Sequence, residues 1–119
     1  MTPVLGIKTF LFSMDFALVK IVVFTPVTHA DKIRKALAEA GAGHIGNYDS
    51  CSFSSIGTGR FRGLPGTKPF IGKAGIAEAV EEERIEVICP ITLLEKVLAA
   101  VKAVHPYEEP AIDVYPLLK

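Results

Sequence analysis

Cysteine is scarce, with Cys51 and Cys89 the two thiols in 119 residues. They follow no metal-ligand spacing and are too few to staple a disulfide scaffold. Reduced thiols in a cytoplasmic protein are therefore the expectation. A surplus of either charge is missing as well, since thirteen basic residues face thirteen acidic ones. No global field draws the chain to nucleic acid or to an anionic membrane, and neither is expected as a partner. There is also no unbroken apolar run of membrane-spanning length. Residues 4–19 are apolar but are interrupted by Lys8 and Asp15, and they lack the charged start and cleavage point of a secretory signal. The expectation is an N-terminal extension over residues 1–17. If Met14 is the start of the domain, residues 1–13 lie ahead of it and pack on a neighbouring subunit.

Half of the residues are apolar and 22% are charged, a globular composition. One domain over residues 18–119 is expected, burying roughly two thirds of its unfolded surface. Residues 20–42 and 84–106 align with each other without a gap. Each copy reads as a β-branched run, a proline, a threonine and a helical pattern. Pro26 and Pro90 stop the strands because proline has no amide to donate. Thr28 with Asp31, and Thr92 with Glu95, have the spacing of helix N-cap pairs. Ile33, Ala36, Leu37 and Ala40 form one apolar stripe, and Leu94, Val97, Leu98 and Val101 the other. Gly41 and Pro106 end the two helices. Strands are expected over residues 50–56 and 111–118. Strand, helix and strand, twice over, predict an α+β, ferredoxin-like βαββαβ sandwich. Its antiparallel four-stranded sheet carries both helices on one face, and a second subunit covers the other face.

Several motifs are set aside. Gly41-Ala-Gly-His-Ile-Gly46 has the letters of a dinucleotide fingerprint but follows a helix, where a helix cap is the reading. Residues 66–73 miss a phosphate loop by one residue of spacing, with Ala74 where a hydroxyl belongs. Residues 57–77 form a glycine-rich arm anchored by Phe61, Leu64, Phe70 and Ile71, and residues 58–62 extend the preceding strand. Alternation from Val80 onward marks another strand with one wet face. Cys51 has no neighbouring base to make it a nucleophile.

The stretch His105-Pro-Tyr-Glu-Glu-Pro110 collects an imidazole, a phenol and two carboxylates beside one turn. The repeat places His105 opposite Gly41, so His44 and His105 are expected at one end of the molecule. Gly43, His44, Gly46, Tyr48, His105, Tyr107 and Glu108 are the candidate ligand-binding residues of one polar cleft. His44, His105, Glu108 and Glu109 are the candidate metal ligands, a nitrogen and oxygen set suited to zinc or copper. The competing reading is that each histidine caps the free carbonyls of the preceding helix.

The residues from Gly41 to Phe53, Gly57-Thr-Gly-Arg-Phe61, Pro69-Phe-Ile-Gly72 and the stretch from His105 to Tyr115 resemble the YqfO-type insert of the Nif-three-like family. The resemblance covers about residues 18–118, and the His-Pro-Tyr-Glu element is also similar to CutA proteins. It implies a CutA/PII-like fold and a homo-oligomer, a trimer before a dimer. It also implies that the two-metal site of full-length relatives belongs to domains flanking this module. The expected function is a non-catalytic, oligomeric module that binds a small ligand or a regulatory protein partner, with no certain cofactor. A divalent-metal binder in the CutA manner is the alternative. A hydrolase using His105 as base ranks last.

Overall fold

A computed structural model describes residues 16–118. The expectations for residues 1–15 lie outside the described residues. β-Branched and aromatic side chains fit a pleated, half-buried surface, and their run over Leu18–Pro26 forms β1. A 3-10 turn, Val27–His29, leads into α1, Ala30–Glu39. β2 spans Phe53–Arg62 and β3 spans Ala77–Pro90. A second 3-10 turn, Ile91–Leu93, enters α2, Leu94–Val104, and β4, Ile112–Leu117, completes the order. The strands make one antiparallel sheet in the order β2-β3-β1-β4. This is the ferredoxin-like sandwich that the repeat predicts.

Side chains alternate between the faces of a strand. Val19, Ile21 and Val23 of β1 and Ile85, Val87 and Cys89 of β3 therefore share one face, where Ile33, Leu37, Val97 and Val101 of the helices meet them. Arg34 ties α1 to the sheet through Glu83 and through Ser54 Oγ at 3.2 Å. The opposite face carries Val22 and Phe24 of β1, Arg84, Glu86 and Ile88 of β3, and Phe53 and Tyr115 on the flanking strands. No helix covers it.

Two local expectations are corrected. The threonines do not cap the helices: His29 and Leu93 stand at the N-caps, with no side-chain cap bond at either. The 3-10 turns take up Thr28 and Thr92, and Thr28 Oγ1 lies 2.9 Å from His29 Nδ1 instead. Second, β2 begins at Phe53 and not at residue 50, while residues 58–62 continue it through Gly57 and Gly59 as expected. β3 likewise begins at Ala77, ahead of Val80.

Candidate functional site

Proline disfavours the helical conformation of the residue before it, so Pro106 sets His105 in extended backbone, φ −72° and ψ 133°, and α2 ends there. The imidazole then lies beneath the turn, 8% exposed. Its Nε2 is 2.7 Å from the Phe24 carbonyl oxygen, and its Nδ1 is 3.1 Å from the Tyr107 amide nitrogen. A carbonyl can only accept and an amide N–H can only donate. The proton therefore sits on Nε2, and Nδ1 accepts. Burial holds the pKa of His105 below its ordinary value, against the Phe24 hydrogen bond and the Glu82 charge, which act in the opposite direction. The ring is neutral at pH 7 and both nitrogens are engaged. It stitches the end of α2 to β1 and fixes the residue that follows.

That residue is Tyr107. Its phenol donates to Glu82 Oε2 at 2.6 Å, and burial together with that carboxylate pushes its pKa well above the usual phenol range. Glu82 reaches it because Gly59, on the neighbouring strand, has no side chain. A methyl group there would stand 2.0 Å from Glu82 Oε1. Phe61 and Phe70 flank the Tyr107 ring at centroid distances of 6.2 and 6.5 Å. The Lys68 amide donates to Glu108 Oε2 at 3.2 Å, fastening the arm to the turn.

These groups border an open cavity of about 460 Å³ on the helix-free face. Phe24, Phe61, Phe70 and Tyr107 supply its apolar walls, and Glu82, Glu108 and Glu109 supply carboxylates. Two of the expected ligand-binding residues, Tyr107 and Glu108, line it, and His105 supports it from behind. Phe24, Gly59, Phe61, Phe70 and Glu82 were not among the expected site residues. Phe61 and Phe70 appeared only as arm anchors, and the local sequence signal for the rest is the alternate-position pair Gly57 and Gly59, which smooths one face of β2.

The glycine-rich turn lies elsewhere. The two helices run in opposite directions because β1 and β3 are antiparallel. Their C-terminal ends therefore point to opposite ends of the sheet, not to one end as the repeat alignment suggests. The Gly43 amide binds the Ile88 carbonyl at 2.7 Å, and Ile88 pairs with Lys20. His105 holds Phe24, four positions along β1, or about 13 Å at strand rise. Gly43 (φ +85°) packs so closely that a Cβ would meet the Cys51 backbone at 2.7 Å. His44, Gly46 and Tyr48 sit in an exposed turn closed by the Ile45 and Tyr48 backbones. The seven expected ligand-binding residues thus do not form one cleft. Among the described residues, no three His, Cys, Asp or Glu side chains come together to hold a metal, so the set His44, His105, Glu108 and Glu109 is not assembled. No described helix is long and apolar enough to cross a membrane.

No family model matches the chain. Curated relatives match most of it. A GTP cyclohydrolase 1 type 2 homolog of Halalkalibacterium halodurans is 57% identical over 101 residues, 85% of this chain and 27% of the relative. The homolog of the same description from Bacillus subtilis is 47% identical over 98 residues, 82% of this chain and 26% of the relative. This chain thus spans about a quarter of the length of the curated relatives it matches. Among solved structures, a Bacillus cereus protein related to NIF3 matches with a TM-score of 0.73 at 51% identity, over 90% of this chain and 27% of that one. The periplasmic divalent cation tolerance protein CutA of Archaeoglobus fulgidus matches with a TM-score of 0.63 at 23% identity, over 86% of this chain and 85% of that one. At that identity the likeness to CutA shows the shared fold.

Proposed function

Because this chain belongs to the Nif-three-like family, matching one stretch of its longer members, we propose that it is a non-catalytic module that binds a small ligand or regulatory partner. The observation that carries this reading is the cavity framed by Phe61, Phe70 and Tyr107, with the Tyr107–Glu82 hydrogen bond on its wall. Ligand sites are concave and largely apolar, with a few fixed polar groups, and this cavity has that composition. A hydrolytic role is weaker, since a general base needs a free lone pair and both nitrogens of His105 are engaged. The cyclohydrolase name of the longer relatives describes proteins of which this chain matches about a quarter.

The module acts as a homo-oligomer in the cytoplasm, a trimer before a dimer. The helix-free face supports assembly, with Phe53 67% and Tyr115 44% exposed. Titrating metabolite mixtures into isotopically labelled full chain tests the ligand reading. Shifts of Phe61, Phe70 and Tyr107 resonances by an unconsumed compound are expected. Compounds that shift only other regions, or that are turned over, would contradict it.

The second reading is a divalent-metal site, favoured by the description of the Archaeoglobus structure as a divalent cation tolerance protein. Glu82, Glu108 and Glu109 border the cavity without forming a ready ligand set, so this reading requires the metal to draw their carboxylates together. A rise in melting temperature with zinc or copper, reversed by chelator, is the result that reading requires.

A further inference from the structure

We propose that this cavity takes a small organic cation, an alkylated ammonium group on a compact aliphatic body. The inference rests on the ligand-binding reading above and names the ligand class. Ring faces carry negative electrostatic potential, and cations settle over them within about 6 Å of the centroid. The rings of Phe61 and Phe70 are tilted at 55° and 56° to Tyr107, so neither pair stacks its faces shut. Phe24, which also lines the cavity, already carries a cation, with the Arg84 guanidinium carbon 5.5 Å from its centroid. The Arg84 charge is in turn met by Glu86 at 3.5 Å.

The carboxylates give the cavity its sign. The ion pairs recorded among the described residues join Asp31 and Glu83 to Arg34, Glu39 to Lys35, and Glu86 to Arg84. Glu82, Glu108 and Glu109 are in none of them. Glu82 accepts from a neutral phenol and Glu108 from a backbone amide, so among the described residues no ion pair meets these carboxylates beside the aromatic walls. Arg60 and Arg62 also border the cavity. They occupy the positions of β2 that alternate with Gly59 and Phe61, so their Cβ atoms leave the strand on the other face. An anion would meet the carboxylates, and a neutral molecule would desolvate them without a partner. A bare divalent ion needs a shell of oxygen ligands and gains little from ring faces. An alkylammonium group satisfies walls and carboxylates together.

The test uses choline, the uncharged alcohol in which carbon replaces its nitrogen, and a carboxylate bearing the same tert-butyl group. Calorimetry and aromatic NMR on the full chain read out binding. Choline is expected to shift Phe61, Phe70 and Tyr107 and to bind at least about tenfold more tightly than the alcohol. Glu82→Gln, whose amide oxygen still accepts from Tyr107, is expected to lose about tenfold for choline and nothing for the alcohol. Glu109→Gln, at an exposed carboxylate, supplies the same comparison if the first variant loses its structure. Alcohol or carboxylate binding as tightly as choline would overturn the cation assignment and leave the cavity as a ligand site. No ring shift with any of the three would overturn both readings.

Discussion

At the residue scale, the site depends on a missing side chain as much as on those present. Gly59 does not have a positive φ, so space and not backbone strain makes glycine necessary there. In Gly59→Ala the methyl group displaces the Glu82 carboxylate, and Tyr107 loses its acceptor. Its pKa then falls part of the way back toward the ordinary phenol value, because burial, the larger cause of the shift, remains. Ultraviolet titration checks this: one late-titrating tyrosine in the wild type, and an earlier one in the variant. Tyr107→Phe removes the same hydrogen bond from the other side and is expected to cost about 1–2 kcal/mol in urea denaturation, as for a partly exposed bond to a charged acceptor. His105 supplies a pH dependence. Its folded pKa lies below 6.5, so the unfolded chain binds more protons in the window beneath that value. Its contribution is complete above about pH 6.5 and is lost as the pH falls toward the folded pKa. Urea midpoints that drop from about pH 7 to about pH 5 in the wild type, and drop less in His105→Gln, are expected.

At the element scale, the two halves of the repeat are not equal in burial. Leu37 is 1% exposed, whereas Leu98 packs against the core only in part. Leu37→Ala should cost about 2–5 kcal/mol, and Leu98→Ala less, because fewer surrounding atoms lose contact. Equal costs would mean that the helices pack differently. The helices and strands were readable because proline, β-branching and helical periodicity act over a few residues. Their relative direction was not read from the alignment of Gly41 with His105, since antiparallel pairing of β1 and β3 turns one half around. The N-caps were misplaced for a local reason: a hydroxyl three residues ahead of an acid fits a cap, but the chain spends that hydroxyl in a 3-10 turn.

At the scale of the whole molecule, the fold was legible in the sequence and the cavity was not. Tyr107 and Glu108 were found because they crowd one turn. Phe24, Gly59, Phe61, Phe70 and Glu82 come from β1, β2, β3 and the arm, and only the sheet register brings them together. The same register leaves Phe53 and Tyr115 on a helix-free face. Substituting both by Ser should therefore weaken self-association in sedimentation, with the monomer's fold retained. The most direct measurement is native mass spectrometry of full chain purified without chelator, beside the Phe61→Ala and Tyr107→Ala variants. The account predicts a small organic mass retained on each wild-type subunit and missing from both variants. Bare subunits throughout, or a metal mass that survives both substitutions, would contradict it.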